Sequence, residues 1–169
     1  FDVINPAGDV VEDRRTIVPL HHDVDLNNAT NLLGMVKQTE VIAHPDLGEV
    51  EIHGDRLVVV NCSGKIVWEW STFDYLDPLR FPVSDQQILT GDWTHANSIQ
   101  HITDSAEILV SFRNQNQVMS INPETKEITH IFWEDGSFEL LQGDWFYGQH
   151  HATLGPDNTL TVFDNHYLS

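Results

Sequence analysis

Positive charge is scarce in this chain. Eight lysines and arginines stand against 26 aspartates and glutamates, a formal net charge of −18. A nucleic-acid backbone needs a basic stripe to displace its counterions, so no nucleic-acid partner is expected. Cysteine is nearly absent: the single Cys62 leaves no internal disulfide to form. Long apolar runs are missing as well, and none approaches the roughly 18 residues that a membrane-crossing helix requires. No membrane span is expected. Helical periodicity is also lacking, since no stretch keeps apolar spacing of three and four over the dozen or so residues a helix needs. One helical turn is expected over Asp74-Tyr75-Leu76-Asp77, before Pro78 stops it.

What the chain does have is short β-forming runs between turn residues. Val, Ile, Thr, Trp, Tyr and Phe gather at Arg56 to Val60, Lys65 to Trp70, Ile108 to Phe112 and Thr159 to Phe163. Gly, Pro, Asn and Asp bound them, as antiparallel strands require. The reading is all-β.

The runs repeat. Val3-Ile4-Asn5-Pro6-Ala7-Gly8-Asp9-Val10 parallels Val60-Asn61-Cys62-Ser63-Gly64-Lys65-Ile66, and both parallel Ser120-Ile121-Asn122-Pro123-Glu124-Thr125-Lys126-Glu127-Ile128. Each is strand, turn, strand: a β-hairpin. A second echo pairs Gly91-Asp92-Trp93 with Gly143-Asp144-Trp145. The third places His22, His95 and His150 alike, each opening a run that ends in a β-rich triplet at 31–33, 108–110 or 160–162. A repeat of several strands per unit indicates propeller blades. Three such units fall short of the four to eight or so that close a ring. Phe1 lies inside an apparent strand and Ser169 directly follows one. The expectation is therefore a single domain, residues 1–169, forming about three blades of a β-propeller and truncated at both ends, with the remaining blades in a longer chain.

Closing repeats around an axis brings equivalent side chains together, so His22, His95 and His150 are the first candidates for a site. His44, His53, His101, His130 and His166 have no repeat-equivalent partner and read as surface or structural. His21 and His151 adjoin the repeated histidines and, in extended chain, should face the opposite way. Arg113 follows the apolar triplet of the second unit. On strand alternation it shares a face with Ser111 and Leu109 near a strand end, where its planar fork can hold two oxygens of an anion. It can equally be a surface arginine paired with one of many acids. Asn97 and Asn165 can orient imidazoles or form turns. For an anionic ligand to enter so acidic a protein, the mouth of the site should be locally positive and the carboxylates should lie on the outer rim.

The segments Asp92-Trp93-Thr94-His95-Ala96-Asn97-Ser98, Ile108 through Gln115 and Gln149-His150-His151-Ala152 resemble the arylsulfate sulfotransferase family. Leu20-His21-His22-Asp23, Gly64-Lys65-Ile66-Val67-Trp68-Glu69-Trp70 and Phe163-Asp164-Asn165 agree with it, in consistent order over nearly the whole chain. Arg113 stands 18 residues after His95, a fairly specific pair. The resemblance implies a six-bladed propeller in the periplasm or secreted. It implies transfer of a sulfuryl group from an aryl sulfate to a phenolic acceptor through a sulfohistidine, with no cofactor and no nucleotide sulfate donor. It makes His150 the nucleophile, His95 and Arg113 transition-state stabilisers, and His22 a further channel histidine. A one-residue slip would put His151 in the nucleophile's place. The repeat favours His150, because His150 to Leu154 reproduces the spacing of His22 to Leu26 and His95 to Ile99. Two other readings compete. One is a metal-dependent lyase or hydrolase using the three histidines and Asp23, which Arg113 would oppose by repulsion. The other is a non-catalytic propeller that binds an anionic ligand or a protein.

Overall fold

The computed structural model describes residues 2–4, 7, 9–13, 18–27, 31–80 and 90–166. Phe1, Ser169 and positions 5, 6 and 8 of the first expected hairpin turn lie outside these. The strands are β1 (Asp2–Ile4), β2 (Val10–Asp13), β3 (His21–Leu26), β4 (Leu32–His44), β5 (Gly48–Val60) and β6 (Ile66–Ser71). They continue as β7 (Ala96–Ile102), β8 (Glu107–Phe112), β9 (Gln117–Ile121), β10 (Ile128–Phe132), β11 (His150–Leu154) and β12 (Leu160–Phe163). Every pairing between them is antiparallel. Two four-stranded sheets run in chain order, β3-β4-β5-β6 and β7-β8-β9-β10, with β1-β2 and β11-β12 as two-stranded pairs. The chain is all-β, and these meanders are consistent with the expected propeller blades.

The three expected hairpins are β1–β2, β5–β6 and β9–β10. Turn chemistry repeats between the last two. Asn61 Oδ1 accepts the backbone N–H groups of Ser63 and Lys65, and Asn122 Oδ1 accepts those of Glu124 and Thr125. Each side chain thus imitates a backbone acceptor inside its turn. The expected helical turn sits two residues earlier than the sequence reading put it, as α1 (Thr72–Tyr75). Ser71 explains the shift: its hydroxyl accepts the Phe73 N–H and starts the turn, and Leu76 is already extended.

The main core lies between the two large sheets. Leu33, Met35, Leu57, Val59 and Trp70 meet Ile99, Ile108, Val110, Phe112, Met119 and Ile121. The indole N–H groups of Trp68 and Trp70 donate to the carbonyls of Pro123 and Lys126, so β6 leans on the β9–β10 turn. A second core, with Leu109, Val118 and Ala152, joins the β7–β10 sheet to β11–β12.

At the other margin of these sheets, the leading strands β3, β7 and β11 stand side by side, tied through side chains. Asp23 Oδ2 accepts Ile99 N–H at 3.1 Å, and Asp25 Oδ2 accepts His101 N–H at 2.7 Å. Ser98 Oγ accepts Ala152 N–H, while Gln100 accepts from Leu154 N–H and donates to the Leu154 carbonyl. Unpaired edge groups of β7 and β11 are satisfied this way, and the three strands are held in fixed order.

Candidate active site

The three repeated histidines meet at the starts of β3, β7 and β11. The rings of His22 and His95 lie 5.0 Å apart between centroids, and those of His95 and His150 6.2 Å. Local backbone makes this possible. His22 and His95 both adopt left-handed φ angles, 59° and 50°, a strained choice for a residue with a side chain. Each leading strand also slips register there: β3 between His21 and Val24, β7 between Ala96 and Ser98, β11 between His150 and Thr153. Bulges of this kind re-aim side chains beside functional sites.

The bulge in β3 overturns the expectation that His21 faces away from His22. Strand alternation fails where φ is positive, and the Nδ1 atoms of the two rings approach to 2.7 Å. In β11 the expectation fits: His150 is half-buried and turned toward His95, while His151 is exposed. The left-handed residue of β11 is nonetheless His151, at 52°. Backbone conformation thus aligns His151 with His22 and His95, whereas ring position aligns His150 with them.

Arg113 also departs from the strand argument. β8 ends at Phe112, and Arg113 opens a 3₁₀ turn spanning Arg113–Gln115. Alternation with Ser111 therefore does not direct its side chain. What fixes Arg113 is its backbone N–H, which donates to the His95 carbonyl at 3.1 Å. Its guanidinium donates to Asn114 Oδ1 at 2.7 Å. That charge reaches His150.

The protonation of the rings follows from these neighbours. Burial lowers the pKa of His150 below the ordinary 6.5; its contact with the Gly148 carbonyl opposes the shift, and Arg113 and His95 add to it. Burial likewise lowers His22, reinforced by His95 and His21 and opposed by Asp55. Both rings therefore favour the neutral form at neutral pH. His150 Nδ1 has two neighbours, the Gly148 carbonyl at 3.1 Å and Asn165 Nδ2 at 2.8 Å. A proton on Nδ1 donates to Gly148 and leaves a lone pair on Nε2, whereas an unprotonated Nδ1 accepts from Asn165. Asn165 Nδ2 also donates to the Gly148 carbonyl at 2.6 Å, beside this ring. Asn97 acts one step away: its Nδ2 donates to the Gln149 carbonyl at 2.8 Å, immediately before His150.

The family model Arylsulfotransferase (ASST) matches residues 3–169. The chain belongs to the arylsulfotransferase family. A search of curated proteins found no match.

In this arylsulfotransferase chain, three positioning groups escaped the sequence reading. In the sequence Asp92 stands only within an echo and a family-like segment, with no role of its own, yet its Oδ2 lies 2.6 Å from His95 Nδ1. Burial raises Asp92, but the hydrogen bond and charge of His95, with Lys37 and Asn114, outweigh it and hold the carboxyl below its ordinary value. Only Nε2 of His95 is then left for a ligand. The echo does not extend to chemistry, because Asp144 precedes His150 by six residues rather than three and is exposed. The second group is Gln149, fully buried, whose Nε2 lies within bonding distance of Ser111 Oγ and the carbonyls of Phe112 and Gln117. It pins the start of β11 against β8 and β9. The third is Asp55, 3% exposed on β5, which receives Thr94 Oγ1 and Ala96 N–H on either side of His95.

These acids correct the expectation that carboxylates keep to the rim. Asp55 and Asp92 stand among the imidazoles, each paired with one: Asp92 with His95, and Asp55 with His21 at 3.0 Å. Asp23, weighed as a metal ligand, instead spends its two oxygens on the backbone N–H groups of Val24 and Ile99. The backbone of His53 bonds Gly91 and Trp93 and so anchors the segment that delivers His95.

Proposed function

We propose that this chain transfers a sulfuryl group from an aryl sulfate ester to a phenolic acceptor, with His150 as the covalent carrier. The observation that carries this reading is the convergence of His22, His95 and His150 beside Arg113, from strands far apart in sequence. Family membership supports sulfuryl transfer in general. The meander sheets with neighbouring leading strands support the reading of β3–β6 and β7–β10 as two propeller blades around the site.

In the first half-reaction, His150 Nε2 attacks sulfur as the sulfur–oxygen bond to the donor phenol breaks. The phenolate leaves and the sulfuryl group stays on nitrogen. In the second, the acceptor attacks sulfur through its oxygen as the phenolate, the sulfur–nitrogen bond breaks, and His150 regains its lone pair. The nucleophile must carry its ring proton on Nδ1, donated to Gly148, so that Nε2 is free. Its lowered pKa favours this neutral ring. Arg113, which cannot lose its proton, and His95, oriented by Asp92, face the negative sulfuryl oxygens. A loose, in-line displacement of this kind depends mainly on positioning and charge neutralisation. No cofactor takes part. Splitting the transfer through a covalent intermediate gives ping-pong kinetics.

Incubation of the intact protein with a chromogenic aryl sulfate and a phenol tests the reading. Sulfated acceptor should form in wild type and vanish in His150→Ala. Absence of transfer by the folded wild-type protein would instead favour an anion-binding protein without catalysis.

A further inference from the structure

The hairpin of β4 and β5 is longer than the sheet it belongs to. β3 pairs with β4 only as far as His21 opposite Met35, and β6 pairs with β5 only as far as Ser71 opposite Arg56. Beyond those points β4 and β5 continue together to His44 and Gly48 as a two-stranded ribbon. The ribbon begins at the level of the histidines and so stands over one side of the site.

Alternation decides which ribbon residues face that site. Leu33 and Met35 of β4, with Leu57 and Val59 of β5, are buried against the second large sheet. The next positions in the same two rows are Lys37 and Asp55, direct partners in the register. Asp55 shows where these rows point, because its carboxylate receives Thr94 Oγ1 and Ala96 N–H on either side of His95. One step further along, Thr39 stands opposite His53 and meets its Nδ1 at 2.9 Å, and His53 is bridged to Asp92. Lys37 lies between these two contacts, exposed, in the row that faces the imidazoles. Its charge is felt there. Burial raises the Asp92 carboxyl, but the bond and charge of His95, and then the charge of Lys37, bring it below its ordinary value.

The other cations sit elsewhere. Arg14 and Arg15 lie outside the described residues. Lys65 is in the β5–β6 turn and Lys126 in the β9–β10 turn, at the end of the sheets away from His95. Arg56 shares the opposite face with Val36 and donates to Glu69 at 3.1 Å, and Arg80 donates to Gln115 Oε1 at 3.2 Å. Among the described residues, this leaves Arg113 and Lys37 as the cations on the side of the imidazoles.

We propose that Lys37 receives the sulfate ester of the donor at the mouth of the site and draws it toward His150. Its use rests on the sulfuryl-transfer reading, and its position on the register of the ribbon. An ammonium on a flexible four-carbon stem suits capture of an anion that must then move on. Arg113, whose guanidinium is held by Asn114, suits the other task of fixing oxygens in one geometry during reaction. Distant acids repel the ester only through screened solvent, whereas a cation at the mouth acts at contact. An acceptor phenol is neutral in solution at neutral pH, so Lys37 should distinguish donor from acceptor.

Benzenesulfonate tests binding apart from turnover, because its sulfur is attached through carbon and is not transferred. Its affinity for the intact protein is measured by calorimetry in wild type, Lys37→Gln and Lys37→Arg. At low salt Lys37→Gln should bind about fivefold more weakly, and Lys37→Arg should bind like wild type. The difference should nearly vanish near 1 M salt, where the screening length is about 3 Å. Equal binding by wild type and Lys37→Gln, a difference that persists in high salt, or no binding by wild type would overturn the proposal. In steady-state kinetics, kcat/KM for the aryl sulfate should fall by a similar factor in Lys37→Gln, with kcat and kcat/KM for the phenol unchanged. A fall in kcat instead would mean that Lys37 acts by holding Asp92 and His95, and would also overturn it. Should wild type bind benzenesulfonate through Lys37 yet transfer nothing, the sulfuryl-transfer reading fails and the anion-receiving role stands.

Discussion

At the scale of the residue, the site depends on which imidazole is neutral and which nitrogen is open. His150 is pushed toward the neutral form chiefly by burial, and Arg113 and His95 add to the shift. A His with a lowered pKa keeps its lone pair to lower pH. The acid limb of kcat/KM should therefore fall below the ordinary histidine value of 6.5, and Arg113→Ala should move it up toward that value. A pH–rate profile of both proteins checks this. Arg113→Ala should also lower turnover by about 10²–10³ while leaving the circular dichroism spectrum unchanged, as expected for loss of one fixed donor to a developing anion. Asp92→Asn should weaken turnover less severely, because His95 keeps a hydrogen-bond partner but loses the charge beside it. Sequence alone located His22, His95 and His150, since a repeat advertises them. It did not locate Asp55, whose partners Thr94 and Ala96 lie 39 and 41 positions away with no shared motif. Nor did it foresee His21, because alternation assumes ordinary φ angles and His22 departs from them.

At the scale of the element, side chains do between leading strands what backbone does within a sheet. Gln100 bonds both the N–H and the carbonyl of Leu154, imitating a neighbouring strand. Gln149 holds the beginning of the same strand. Gln149→Leu should cost about 1–3 kcal/mol, because it leaves buried carbonyls unpaired, and should lower turnover by displacing His150. Urea titration read beside the kinetics checks both. Trp70→Ala should cost more, about 3–5 kcal/mol, through the cavity left between the two large sheets. The hairpins were legible because Asn61 and Asn122 carry turn chemistry in their own side chains. The start of α1 was misread because the stop at Pro78 is conspicuous, whereas Ser71 acts as a cap only once β6 has ended beside it.

At the scale of the whole molecule, the charge of −18 opposes an anionic substrate, and the site does little to offset it. Arg113 brings one positive charge, while Asp55 and Asp92 bring two negative ones, each set against an imidazole. Repulsion by distant acids then matters at low salt, where the screening length is about 30 Å, and fades near 0.15 M, where it is about 8 Å. The KM for an aryl sulfate should accordingly fall as salt rises over that range. Composition showed the imbalance, but only the fold shows how far the acids intrude. The most direct test of the account is the mass of wild-type protein mixed with aryl sulfate alone, quenched at alkaline pH and mapped by peptide. One sulfuryl group on His150, absent from His150→Ala, is the predicted result. A group carried by His151, or transfer that proceeds with no adduct and with sequential kinetics, would contradict it.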